Sequence, residues 1–198
     1  MSRVFRVDPN DIEIPERVLA ARLGFRGVGR IPEEFEKVFK EAMEMAHELA
    51  KPVALHDDFE IEKVDNAIEV AGEILSGRSV EDHIAWGSSL TLMVGTLGDE
   101  FDRGIERYHD EGEELLSFFL DGIGSEMVEY FIRKLDAHLR EIHGEGGPRV
   151  SPGYGDLPLY LNDWIVKTLG AQDIGVSCDP QTHIMLPRKT VSAIIAWR

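Results

Sequence analysis

Arg149-Val150-Ser151-Pro152-Gly153-Tyr154 is the segment whose residue types and spacing best suit the holding of a small molecule. Proline then glycine at the centre of Ser151-Pro152-Gly153-Tyr154 predicts a type II turn. Glycine there accepts positive φ and leaves room for a ligand beside the backbone. Arg149, just before the turn, offers a planar fork that matches a carboxylate. Tyr154, which closes the turn, adds a flat face and a hydroxyl. Together these groups fit an amino-acid carboxylate held beside an aromatic ring. The same residues also describe a tight surface turn with a solvated arginine, and the physics of the segment alone favours that simpler reading.

Other chemistries find less support. The seven histidines contain no H-E-x-x-H spacing, and the single cysteine, Cys178, can form neither a thiolate cluster nor an internal disulfide. His56-Asp57-Asp58 has metal-ligand residue types but reads as a polar turn after a strand. His138 and His143 are spaced awkwardly for one helix face. Gly24, Gly27 and Gly29 do not form a dinucleotide fingerprint, and neither a P-loop lysine nor a G-x-S-x-G elbow occurs. No basic residue neighbours Cys178 in sequence, so it reads as a buried or incidental thiol.

The elements that must position the arginine turn follow from periodicity. Ile31-Pro32-Glu33-Glu34 carries helix-start signals. Phe35, Val38, Phe39, Ala42, Met45, Ala46 and Leu49 then recur at helical spacing until Pro52. Extended segments are expected at 53–55 and 67–70. Ser79 with the acids behind it reads as a helix N-cap. A buried strand is expected at 90–94, a helix at 99–108 and a long helix at 113–142. Gly122 and Gly124 within that helix mark either close backbone approach or a break. Gly144 to Gly147 is the sharpest punctuation. A helix at 159–169 ending at Gly170, and short strands at 184–186 and 191–197, complete the chain. Strands and helices mix without a βαβ rhythm. The expectation is therefore α+β, one domain over residues 1–198, with a mostly antiparallel sheet packed against several helices.

Bulk properties narrow the partners. The chain has 198 residues and a net charge of −16. That field repels nucleic acid and anionic lipid and suits a cationic ligand or a basic protein partner, although solubility accounts for it equally well. A lone cysteine and an N-terminus without an apolar run predict a cytoplasmic protein. The longest apolar stretches, such as 191–197, are too short to span a bilayer.

Arg149-x-Ser151-Pro152-Gly153-Tyr154 resembles the Arg-x-x-x-Gly-Tyr element of the reactivation domain of cobalamin-dependent methionine synthases. Gly155-Asp156-Leu157-Pro158-Leu159 resembles the form found in short, separately encoded relatives. Thr96-Leu97-Gly98, the long helix after Glu113, and Leu186-Pro187-Arg188-Lys189-Thr190-Val191-Ser192 are similar to that group in the same order. The resemblance implies binding of S-adenosylmethionine (SAM). Arg149 would grip its carboxylate, backbone groups around Ser151 and Gly153 would complete the cradle, and Tyr154 would contact the ligand. Glu129 matches an acid near the SAM site in that family and would face the ammonium or sulfonium charge. A solvated helix-face acid is the alternative for Glu129, and Glu126 lies close enough to confuse the assignment.

The resemblance further implies a cobalamin held by a partner, a methionine synthase subunit lacking its own reactivation domain, and a flavodoxin-type reductant. The role would be reductive methylation of cob(II)alamin to methylcobalamin, with no catalytic residue or metal of the chain's own. A reactivator of another corrinoid methyltransferase and a non-catalytic scaffold are the alternatives. The chain departs from the large enzymes in lacking much of the linker before Arg149. An acid carried on that linker has no secure equivalent here, Glu141 and Glu145 being the candidates.

Overall fold

The computed structural model describes residues 2–25, 27 and 29–198. Strands β1 (Arg3–Arg6), β2 (Val53–Glu60), β6 (Ser89–Thr96) and β9 (Thr190–Trp197) form the main sheet in the order β1-β2-β6-β9, and every neighbouring pair is antiparallel. A three-stranded meander, β3 (Glu62–Val64), β4 (Ala67–Val70) and β5 (Glu73–Leu75), and a short pair, β7 (Ser177–Cys178) with β8 (Met185–Leu186), lie outside it. The helices are α1 (Glu16–Arg22), α2 (Glu36–Leu49), α3 (Arg78–His83), α4 (Asp99–Asp110), α5 (Glu114–His143) and α6 (Leu161–Leu169). The fold is the α+β arrangement with antiparallel sheets and one long helix that the periodicity predicts.

The neighbouring strands β6 and β9 are apolar almost throughout because both faces of the sheet are covered. Met93, Ala193, Ile195 and Trp197 belong to a core shared with α1, α2, α4 and α5. Leu90, Leu92, Val94, Ile194 and Ala196 alternate with them and pack on the other side, with Val80 of α3 and Leu161 and Ile165 of α6. Each fully buried Leu, Ile or Phe contributes roughly 1.5–3 kcal/mol relative to exposure.

The long helix is unbroken from Glu114 to His143. Its two inner glycines mark close approach. A methyl group at Gly122 would lie 2.7 Å from Leu23 Cδ2, and one at Gly124 would lie 2.3 Å from Phe101 Cε1. Thus Gly122 admits the end of α1 and Gly124 admits α4. Lys189, buried just before β9, donates to Asp121 Oδ1 and Ser125 Oγ of α5, both at 2.9 Å.

Three local expectations are corrected. The helix signals at Ile31 to Glu34 lead into a 3-10 turn at Glu33–Phe35, and α2 begins only at Glu36. His56-Asp57-Asp58 is not a turn but the middle of β2, which runs on to Glu60 because β6 is long enough to pair with it throughout. Ser79 is not an N-cap: it lies inside α3, whose N-cap is Gly77 and whose first N–H groups are met from a distant part of the chain.

Candidate functional site

The arginine turn sits at the edge of the main sheet. After α5 ends at Gly144, the chain returns alongside β9, with Gly146 opposite Trp197 and Val150 opposite Ile194. Four residue steps on this segment therefore face three on β9, which is the geometry of a bulge. The extra residue breaks strict alternation. Gly146 approaches the Trp197 ring, Gly147 approaches Trp86, and Val150 enters the core beneath α3 and α6.

Arg149 faces α5. Its Nη2 donates to Glu129 Oε2 at 2.9 Å, and its side chain is 18% exposed against 37% for Glu129. The second terminal nitrogen, Nη1, is buried and has no hydrogen-bond partner among the described residues. A guanidinium with one arm engaged and one donor free is suited to a second acceptor. Glu126, three residues earlier on α5, is turned to α1, where it accepts from Arg22 Nε at 2.6 Å. The two acids thus have separate partners. Glu141 lines a different surface with Phe5 and His138, and Glu145 is exposed.

The turn has the predicted form. Tyr154 N–H donates to Ser151 O at 3.0 Å, and Gly153 has φ +86°. Gly153 N–H donates to Leu157 O at 2.8 Å, closing a second loop. Ser151 is half-buried, Gly153 is exposed, and Tyr154 is 60% exposed.

Sequence reasoning passed over the residue that fixes the turn in place. Asp156 Oδ2 accepts from Arg78 N–H at 2.7 Å and Oδ1 accepts from Ser79 N–H at 2.9 Å, so its carboxylate caps α3. Its own N–H donates to Ser79 Oγ at 3.3 Å. The hydroxyl of Ser79, with the N–H groups of Ser79 and Arg78, holds the Asp156 carboxyl down to about 2. Gly77 and Gly155 both adopt positive φ, and a side chain at either would strike the clamp. The only sequence signal was a pair of glycines, each next to one of the clamped residues.

Two aromatic residues of the α3 corner were also missed. The His83 ring centroid lies 6.4 Å from that of Tyr154. Trp86 Nε1 donates to His83 O at 3.0 Å, and its indole lies against Gly147. A cavity of about 560 Å³ between α4 and α5, lined by residues including Ile105, Phe118 and Arg188, shares no lining residue with this corner.

The remaining candidates disperse. His138 stacks on Phe5 and His143 on Trp197. Among the described residues, no group of three or more His, Cys, Asp or Glu side chains is placed to hold a metal. Burial, with Asp163 and Asp179 nearby, pushes the Cys178 thiol up, away from the reactive thiolate. No helix among the described residues is long and apolar enough to cross a membrane.

No protein-family model matches the sequence. No curated protein matches it either. Among solved structures, the chain is similar to the crystal structure of the MetH reactivation domain bound to AdoHcy, with a TM-score of 0.74 over 100% of this chain and 78% of that one, at 14% identity. At that identity the likeness establishes the fold.

Proposed function

We propose that this chain is a SAM-binding reactivation component of a cobalamin-dependent methionine synthase, acting in the cytoplasm. The observation that carries the reading is the Arg149–Glu129 pair, set beside the Ser151 to Tyr154 turn. The fold it shares with the reactivation domain bound to AdoHcy supports it.

The amino-acid end of SAM carries a carboxylate and an ammonium, and the pair presents a guanidinium and a carboxylate. Arg149 turns its free Nη1 to the ligand carboxylate, and Glu129 receives the ammonium. Arg149 is held part-buried by its pairing with Glu129, which lowers the ordering cost of binding. Ser151 and Gly153 line the approach with backbone groups, and Tyr154 covers the ligand. When bound, SAM supplies a methyl group from its sulfonium, already attached to a good leaving group. The contribution of this chain is to position that methyl for a corrinoid on a partner protein, not to move protons. The partner is a cobalamin-binding methionine synthase subunit without a reactivation domain, and a flavodoxin-type protein supplies the electron.

Co-purification with such a subunit, followed by an assay of methylcobalamin formation, tests the reading. Formation that depends on this chain and on SAM is expected. A corrinoid protein methylated at the same rate without the chain overturns it. Activity only with the corrinoid protein of another methyltransferase would reassign the partner.

A further inference from the structure

Resting on the SAM reading, we infer that Arg140 is a positioning residue for that site: its guanidinium ties the bulged segment after α5 to the helix and so aims Arg149 at Glu129.

The bulge leaves Arg149 without support from the sheet. Gly147 N–H donates to Ala196 O at 2.8 Å, and Val150 exchanges hydrogen bonds with Ile194 at 3.0 and 2.8 Å. Pro148 and Arg149 lie between these two points. Among the described residues, no backbone hydrogen bond ties either of them to β9. Proline has no N–H to give. A bulge re-aims a side chain because its extra residue is unpaired. The direction of Arg149 therefore depends on what holds the two ends of the bulge. Val150 is held by its pair of bonds and by the core it shares with α3 and α6. Arg140 holds the other end.

Arg140 stands in the last turn of α5, yet its guanidinium reaches beyond the helix. Nη2 donates to Gly147 O at 2.8 Å and Nη1 donates to Gly146 O at 3.3 Å. Nε donates to Asp136 Oδ1 at 2.7 Å, one turn back along α5. The same group lies over the Trp197 ring, 5.8 Å from its centroid. That ring fills the space a side chain at Gly146 would need, 2.3 Å away. Gly147 is thus bonded through its N–H to β9 and through its carbonyl to α5. Glu129, Asp136 and Arg140 share one face of α5, with Arg140 about three turns beyond Glu129. The segment from Gly146 to Arg149 runs back along that face, fastened to Arg140 at its start and to Glu129 at its end. Three donors in one rigid plane meet three separate acceptors, a geometry that the single nitrogen of a lysine cannot reproduce. A cation needed only to complement the helix C-terminus would not require it.

The test titrates SAM by calorimetry into the full chain and its variants, each checked for folding by its melting temperature. Arg140→Met should weaken SAM binding about tenfold, the order of one charge-assisted hydrogen bond. Arg140→Lys should recover only part of that loss. Lys134→Met removes an equal charge from an exposed position of the same helix and should leave the affinity unchanged. In the Arg149→Ala background, Arg140→Met should cost nothing further, because Arg140 acts through Arg149. The guanidinium NMR signals of Arg149, read without SAM, should show hindered rotation in the wild type and lose it in Arg140→Met. If Arg140→Met is unstable, Arg140→Lys and its Arg149 signals carry the test. Full SAM affinity in both Arg140 variants, or an equal loss in the two backgrounds, overturns the positioning role and leaves the Arg149 reading standing. Arg149 signals that respond to Arg140→Met in a chain that binds no SAM have the opposite effect. Unresponsive signals and no SAM binding overturn both.

Discussion

Arg149 Nη2 and Glu129 Oε2 are 2.9 Å apart, joining the strand after the long helix to the middle of that helix. The cation and anion of the proposed site are therefore held against each other. Binding must exchange one ion pair for two. Arg149→Ala is expected to weaken SAM binding by about 1.5–3 kcal/mol, the scale of a hydrogen bond to a charged group. Glu129→Gln should cost less, about 1 kcal/mol, because its side chain is more open to solvent. Calorimetric titration of the two variants checks the order, and equal affinities for variants and wild type would remove the anchor.

The Asp156 clamp gives an acid-sensitive junction. The folded carboxyl titrates at about 2, below its usual 3.8. Its contribution is therefore fully present above about pH 4 and is lost as pH falls toward 2. Amide exchange at Arg78, Ser79 and Tyr154 should accelerate over that window. In Asp156→Asn the acceleration should already be present at neutral pH. Protection that is flat from pH 5 to pH 2 would show that the clamp does not hold the corner.

His56 works in a higher range. Burial in β2 first, and the nearby Arg3 second, keep its imidazole neutral and its pKa below 6.5. The unfolded chain takes up that proton first as pH falls. Stability is thus highest above about pH 6.5 and declines below it, levelling once the folded histidine also protonates. Denaturant titrations of wild type and His56→Gln should show the smaller slope between pH 7 and pH 5 in the variant. Identical slopes would assign the loss to other groups.

Gly124 tests the packing of the long helix. Gly→Ala ordinarily favours a helix interior by about 0.5–1 kcal/mol. Here the methyl would meet the Phe101 ring at 2.3 Å. Overpacking of this kind costs about 1–3 kcal/mol, so Gly124→Ala should lower the stability despite its better propensity. A raised melting temperature would mean that α4 yields without strain.

Most of the fold was legible because the elements carry their own periods. The periodicity predicts a long helix at 113–142 and the helix spans Glu114–His143; the helix expected at 159–169 spans Leu161–Leu169. The type II turn was legible from two adjacent residues. Two of the failures, the cap of α3 and the path of β2, share a cause: they depend on contacts distant in sequence. The cap of α3 comes from Asp156, 77 residues beyond Ser79, while local spacing pointed to Ser79 itself. His56 to Asp58 has turn-like composition, but pairing with β6 overrides it. Of the site, Arg149, Ser151, Gly153 and Tyr154 form one stretch of chain and could be read together. Glu129 entered by resemblance, and its pairing with Arg149 rests on a bulge that alternation cannot anticipate. His83 and Trp86 come from a third segment and left no local signal.

The proposed binding of SAM rests on Arg149. Calorimetric titration of SAM into the full chain, alone and with the cobalamin-binding subunit present, tests it most directly. Saturable one-to-one binding is expected in at least the second condition, weakened by Arg149→Ala. Absence of binding in both conditions, or binding that Arg149→Ala leaves unchanged, would contradict it.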